Sequence, residues 1–292
     1  MKELVIISGK GGTGKTSVTA AFAVLAGESV VADCDVDAAD MHLLLQPEIR
    51  RREEFRSGHE AVIRQKDCTG CGICFAECRF DAIRKSDDLY RVEPLGCEGC
   101  GVCVRVCPAG AIDFPERICG EWYLSDTRYG PMVHARLNPG GENSGKLVAR
   151  VREEARRIGG EKGLDLVIVD GPPGIGCPVI ASLTGATQVL VVTEPTLSGL
   201  HDLERVLGLA RHFKIPAAAC VNKWDINPAQ TVAIESRAEE LGARIAGRIR
   251  YDRSVTDAQV KGCSVMELPG SMAGADVSRI WEALQDAARD DR

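Results

Sequence analysis

The segment Ile6-Ile7-Ser8-Gly9-Lys10-Gly11-Gly12-Thr13-Gly14-Lys15-Thr16 constrains this chain more than any other. Gly9, Gly14, Lys15 and Thr16 satisfy the phosphate-loop pattern G-x-x-x-x-G-K-[ST], with an apolar strand, Leu4 to Ile7, before it and a helix after it. A loop that wraps a triphosphate takes positive φ angles and brings backbone N–H groups close to anionic oxygens, an approach that side chains would block. In such a loop Lys15 reaches the β- and γ-phosphates and Thr16 offers its hydroxyl to Mg²⁺, while the following helix points the positive end of its dipole at the ligand. Gly11, Gly12, Thr13, Gly14, Lys15, Thr16 and Ser17 are the expected nucleotide-binding residues. Val18, Ala21, Phe22 and Leu25 recur at helical spacing and give that helix a core-facing stripe, which Gly27 ends.

With 292 residues, the chain has room for one large α/β domain and a small insertion. Hydrophobic residues at 45% and aromatics at 4% point to a core of Val, Ile, Leu and Ala. A net charge of −6 gives no electrostatic reason to expect nucleic acid. No run approaches the roughly 18 apolar residues of a membrane span, and the first strand enters the phosphate loop with no signal peptide before it. A cytoplasmic protein without stable membrane association is expected. There, thirteen cysteines speak for metal ligation rather than disulfides.

Lys10 adds a second lysine near the start of the loop. The form Lys10-Gly11-Gly12-Thr13-Gly14-Lys15-Thr16 resembles the deviant phosphate loop of the MinD/ParA/Mrp ATPases and the nitrogenase iron protein. The resemblance implies that Lys10 reaches across a nucleotide-sandwich homodimer formed on ATP binding. A lysine that adds charge only to its own site is the alternative. Downstream, Ser29 to Ala32 reads as a strand leading into Asp33-Cys34-Asp35-Val36-Asp37-Ala38-Ala39-Asp40. Acids at the carboxyl end of a strand beside a phosphate loop lie where an α/β fold places ligand chemistry. By the resemblance, Asp35 positions the attacking water, so Lys10, Lys15 and Asp35 are the catalytic candidates. Asp37 and Asp40 fit a helix N-terminus better.

After a charged stretch from Arg50 to Arg56, read as a connector, the composition changes. Cys68, Cys71, Cys74 and Cys78 follow the spacing C-x2-C-x2-C-x3-C, and so do Cys97, Cys100, Cys103 and Cys107. Ala82-Ile83 and Ala111-Ile112 stand at the same offset after each fourth cysteine, which marks a tandem duplication. The two runs resemble a bacterial two-cluster ferredoxin, in which the fourth thiolate of each run ligates the other cluster. That resemblance assigns one 4Fe–4S cluster to Cys68, Cys71, Cys74 and Cys107, and a second to Cys97, Cys100, Cys103 and Cys78. Arg79 stands where such a run has proline after its fourth cysteine. The expected organisation is an ATPase domain of residues 1–59 and 117–292 around a ferredoxin domain of residues 60–116. So small a module depends on its clusters to fold.

The ATPase part resumes with strands over Glu121 to Ser125 and Met132 to Leu137, a helix over Ser144 to Ile158, and the apolar strand Leu166 to Asp170. Asp170 reads as the acid that holds Mg²⁺ through water, with Thr16 and Asp35 completing the magnesium set. Asp170-Gly171-Pro172-Pro173-Gly174 reads as a loop that moves with the γ-phosphate. Seven residues after Asp170 stands Cys177, at a position where the nitrogenase iron protein has a ligand to a shared cluster; a redox contact and a buried small residue both stay open. Gln188 to Thr193 and Ala217 to Val221 complete the central strands, so a doubly wound, mostly parallel α/β sheet is expected. Asn222-Lys223-Trp224-Asp225 fits the N-K-x-D signature of guanine readers, whereas MinD-like proteins use an asparagine at this place for adenine. ATP is the expected nucleotide, with GTP kept open by Asp225. Tyr251, in Ile249-Arg250-Tyr251-Asp252, is a further base-contact candidate. Asp276 to Ala288 reads as a final amphipathic helix made acidic by Asp286, Asp290 and Asp291, which suits packing on the domain rather than a membrane.

Together the two resemblances imply an ATP-hydrolysing iron–sulfur protein that couples dimer closure to electron transfer toward a redox or metallocofactor partner. The alternatives are a cluster carrier or scaffold, and a MinD-like positioning ATPase whose clusters are structural.

Overall fold

The structure, a computed structural model, describes residues 1–87, 89–141 and 143–290, with side chains in these ranges as far as residue 286. Asp290 and Asp291, expected to make the last helix acidic, lie outside the described side chains. The chain runs β1 (Lys2–Ser8), α1 (Lys15–Ala26), β2 (Val30–Asp33), α2 (Met41–Leu45), β3 (Glu48–His59), β4 (Val62–Ile63), α3 (Ile73–Glu77), β5 (Ile83–Ser86), β6 (Leu89–Val92), α4 (Val102–Val106) and β7 (Ile112–Asp113). It continues through β8 (Glu116–Thr127), β9 (Gly130–Leu137), α5 (Ser144–Lys162), β10 (Leu166–Pro173), α6 (Cys177–Leu183), β11 (Gln188–Thr193) and α7 (Leu197–His212). The last elements are β12 (Ala217–Asn222), α8 (Pro228–Glu240), β13 (Arg244–Ile249), α9 (Arg253–Lys261) and α10 (Met272–Asp290). Two compact units emerge, one of Met1–Glu53, Trp122–Arg136 and Ser144–Arg292, the other of Glu54–Glu121 and Leu137–Asn143.

Among the described residues nine strands form one sheet in the order β13-β12-β11-β1-β10-β2-β9-β8-β3. The pairs from β13 through β9 are all parallel. Val5–Ile7, Val30–Ala32, Val167–Val169 and Val189–Val192 are buried throughout, as a parallel sheet covered on both faces requires. Val18, Ala21 and Phe22 of α1 share one core with Ile6, Ile168 and Leu190, and Val277, Ile280 and Leu284 of α10 join it. The α10 helix therefore packs on the sheet. No described helix is long and apolar enough to cross a membrane.

Two readings of the sequence need correction. Arg50 to Arg56 is not a connector but part of β3, the edge strand of the sheet. Its charged residues leave no apolar face to betray a strand, and edge charges of this kind discourage pairing with other chains. Nor is Asp170 to Pro173 a loop. The strand β10 runs on through Pro173, which stands opposite Ser8 after a register shift in β1.

The smaller unit has two short antiparallel pairs, β4 with β7 and β5 with β6. The sequence repeat recurs in its backbone. Gly72 before α3 and Gly101 before α4 both take left-handed φ angles, 77° and 72°. A side chain would strain either position, and at Gly72 it would also strike the Tyr90 hydroxyl. Its core is small: Ala61, Ile63, Cys74, Ile83, Tyr90 and Ile112, with Cys68, Cys78, Cys97, Cys103 and Cys107 packed against it.

Candidate functional site

The carboxyl ends of β1, β2 and β10 bring the phosphate loop and the acids together. Lys15 is buried, with its ammonium 2.6 Å from Asp35 and 3.8 Å from Asp170. Burial opposes its charge, but Asp170 and Asp35 outweigh burial and hold the ammonium above its ordinary pKa. Thr16 donates to Asp170 Oδ2 at 2.8 Å, and Thr19 to Asp170 Oδ1 at 2.9 Å. Asp33 is fully buried, and its Oδ1 accepts from the Asp35 N–H while Oδ2 has no partner. Burial, reinforced by Asp170, pushes Asp33 well above the usual carboxylate range. Burial also raises Asp170, against the pull of Lys15. With Asp33 pushed toward its neutral form, Asp35 and Asp170 still set two carboxylates against one ammonium, an excess of negative charge. Such a site suits a divalent cation that arrives with the nucleotide.

The loop itself is shaped by contacts its pattern does not reveal. Gly14 takes φ 92°, and a Cβ there would stand 2.5 Å from the Asn222 side chain. Asn222 donates through Nδ2 to the Thr13 carbonyl at 2.8 Å and accepts from the Lys223 N–H. It thus ties the end of β12 to the loop. Beside it lies a cavity of about 240 Å³ whose lining includes Gly12, Gly14, Ser17, Asn222, Lys223 and Tyr251. Val265, Ala273 and Val277 give it apolar walls, the mixture of apolar surface and few polar groups that a purine requires. Asp225 accepts from the Tyr251 N–H at 2.7 Å and so joins the two expected base-contact segments.

Lys10 is one-third exposed and lies 3.4 Å from Glu194, with its ammonium donating to Ser198 Oγ at 3.3 Å. Lys223 takes the other oxygen of Glu194 at 2.6 Å. Nothing in the loop pattern points to Glu194. Thr19 was equally hidden, although its place one helical turn after Lys15 is a signal that a helix reading carries. Asp40 precedes α2 without a side-chain cap bond. Cys177 is exposed at the first position of α6, which removes the reading of it as a buried small residue.

In the smaller unit, Cys78, Cys97, Cys100 and Cys103 line one cavity together with Phe80, Val92, Val102 and Phe114. Burial raises the Cys74 thiol, and the neighbouring thiols of Cys68, Cys71 and Cys107 add to the effect. Burial likewise pushes Cys103 up to about 11, with Cys97 and Cys100 contributing. The Ala111 N–H lies 3.3 Å from the Cys107 sulfur as a donor. Cys71 and Cys100 are exposed, and no described cysteine is in a disulfide.

Fold and site define a phosphate-loop NTPase with a second lysine in its loop. The model of the CobQ/CobB/MinD/ParA nucleotide binding domain matches residues 4–265, and the chain belongs to that family. It is an ATPase of the MinD/ParA type. An uncharacterised protein of Methanocaldococcus jannaschii is 33% identical over 230 residues, covering 77% of this chain and 79% of its own. A putative septum site-determining protein MinD of Chlorella vulgaris is 25% identical over 267 residues, covering 89% and 75%. Among solved structures, the cell division ATPase MinD of Pyrococcus furiosus superposes with a TM-score of 0.58 at 16% identity, covering 98% of this chain and 99% of its own. A chain of the MinC:MinD cell division protein complex from Aquifex aeolicus gives 0.59 at 18%, covering 98% and 96%. At these identities the structural likeness is one of fold.

Proposed function

We propose that this chain is an ATP-switched iron–sulfur protein. MgATP binds the phosphate loop, two protomers close over it through Lys10, and the smaller unit holds two 4Fe–4S clusters that pass electrons to a partner protein. One observation carries the cluster assignment: the cavity lined by Cys78, Cys97, Cys100 and Cys103 gathers the crossed ligand set that a two-cluster ferredoxin uses. The grouping of Cys74 with Cys68, Cys71 and Cys107 supports the other set. On this reading the unit is an inserted ferredoxin module, and the whole is related to the nitrogenase iron protein. Among the described residues no three His, Cys, Asp or Glu side chains are placed to hold a single metal ion. Neither group needs such a cage. A cubane spreads its thiolates around four irons, and nucleotide-bound Mg²⁺ draws most of its oxygens from phosphate and water.

The chain's own residues divide the work. Lys15 and Lys10 stabilise charge on the transferred phosphoryl group, the main source of rate in such sites. Asp35 holds Lys15 through Oδ2, which leaves Oδ1 to orient the attacking water. Asp170, through water, and the Thr16 hydroxyl would hold Mg²⁺. Asn222 keeps the loop in place, and the apolar cavity beside it takes adenine. Asp225 spends an oxygen on the Tyr251 N–H, which favours ATP over GTP. Bound clusters would supply one-electron chemistry, and the exposed Cys71 and Cys100 suit exchange with a partner at the surface.

A second reading, a positioning ATPase with structural clusters, is favoured by the names of relatives and neighbours, which include septum site-determining, cell division and putative plasmid partition proteins. Electron paramagnetic resonance on anaerobically purified, reduced protein separates the two. The redox reading expects two cluster signals whose midpoint potential shifts when MgATP is added. Signals indifferent to nucleotide, together with ATP-dependent sedimentation on vesicles or DNA, would establish the positioning reading instead. Lys15→Ala should abolish nucleotide binding and leave the cluster signals intact. Lys10→Ala should lose ATP-dependent dimerisation in analytical ultracentrifugation; an undiminished dimer would remove Lys10 from the closure.

A further inference from the structure

Asp170 ends the apolar run of β10 as a carboxylate that is 1% exposed, and hydroxyls of one helix fix both of its oxygens. Thr16 belongs to the phosphate-loop pattern. Thr19 does not, and it is completely buried. Its hydroxyl lies 2.9 Å from Asp170 Oδ1 and 2.9 Å from the Lys15 carbonyl oxygen, with one proton for the two acceptors. An ionised carboxylate accepts more strongly than a helix carbonyl, so the proton goes to Asp170.

We infer that Thr19 is a positioning residue for the metal step: by anchoring Asp170 Oδ1 it keeps Oδ2 on Thr16 and turned toward the Mg²⁺ that these two residues would hold, Asp170 through water. The inference rests on the assignment of Asp170 and Thr16 to Mg²⁺. A carboxylate held by one oxygen turns about its Cβ–Cγ bond, and the Lys15 ammonium, 3.8 Å from Oδ2, competes for the same atom. With Oδ1 held, the carboxylate plane is set. The Thr16 proton is then committed to Oδ2, which leaves its hydroxyl oxygen a lone pair for the cation beside the one the Lys15 ammonium approaches at 3.4 Å. Thr19 thereby acts on a metal it does not touch.

Thr19→Val keeps the shape of the side chain and removes the hydroxyl, while Thr19→Ser keeps the hydroxyl. Binding of a fluorescent ADP derivative is measured on the full chain, with Mg²⁺ and with EDTA, for the wild type, these two variants and Asp170→Asn. All four are expected to bind alike in EDTA. With Mg²⁺ the wild type and Thr19→Ser gain affinity, and Thr19→Val forfeits about tenfold of that gain, the loss of one charge-assisted hydrogen bond. A full Mg²⁺ gain in Thr19→Val, beside its loss in Asp170→Asn, would overturn the role of Thr19. So would a Thr19→Ser as impaired as Thr19→Val, because packing rather than the hydroxyl would then matter. A full gain in Asp170→Asn would instead remove the assignment of Asp170 to Mg²⁺. Should Thr19→Val fail to fold, the smaller Thr19→Ala carries the same comparison.

Discussion

His134 shows how far one buried side chain sets the response to pH. Its Nε2 lies 2.9 Å from Ser125 Oγ, its ring stacks on Tyr123 at 4.9 Å, and burial lowers its pKa from 6.5 to about 4, with His42 adding to the effect. The unfolded chain takes up the proton first as pH falls, so the stability is fully present above pH 6.5 and is lost as pH drops towards 4. The loss amounts to about 3 kcal/mol. Thermal unfolding followed from pH 7 to 4 should show it, and His134→Gln should flatten that slope; an unchanged slope would assign the acid sensitivity to the carboxylates. Nothing in the sequence distinguishes His134 from an exposed histidine, because its burial comes from pairing β9 with β2. The gathering of Lys15, Asp35 and Asp170 was legible, since strand ends beside a phosphate loop have few places to point. Thr19 and Glu194 were not, because each is defined by a partner more than 150 residues away.

At the scale of elements, the sheet holds together through one buried guanidinium as well as through its apolar faces. Arg152 of α5 donates to Glu3 of β1 at 2.6 Å and to the carbonyls of Ala181 and Thr184 at 2.5 and 2.9 Å, near the end of α6. Arg156 shares Glu3 but is largely exposed. Arg152→Met should cost about 3 kcal/mol, because it leaves Glu3 buried beside a single, solvated partner. Denaturant unfolding of the variant measures this, and a change below about 1 kcal/mol would mean that Arg156 compensates. The parallel strands were readable as apolar runs, and α1 and α10 as helical stripes. The strand β3 carries no such signal; its pairing with β8 decides its conformation. In β10, Pro172 and Pro173, from the stretch read as a loop, occupy the last two positions of the strand, where a shift of register in β1 makes room for them.

At the scale of the whole molecule, the two units differ in what stabilises them. The larger has an extended core on both faces of its sheet, while the core of the smaller consists of a few aliphatic residues, one tyrosine and the cysteines themselves. Chelation of iron under anaerobic conditions should therefore open 54–121 to proteases and leave ADP binding by the larger unit within about twofold of its starting value. A chelated protein with an unchanged digestion pattern would show that the smaller unit folds without clusters. That the cysteine runs were legible as a repeat, and the core around them as small, follows from the same fact: ligand spacing is written in the chain, whereas a large core is spread over distant segments.

Glu194 stands between two ammonium groups, Lys10 at 3.4 Å and Lys223 at 2.6 Å. In the language of networks it is a shared node, joining the loop after β1 to the loop after β12 without any contact between the lysines themselves. Whatever draws Lys10 away leaves the carboxylate wholly to Lys223, beside the asparagine that clamps the phosphate loop. Events at the two ends of a bound nucleotide therefore have one counter-charge in common, and a substitution at either lysine is felt by the other.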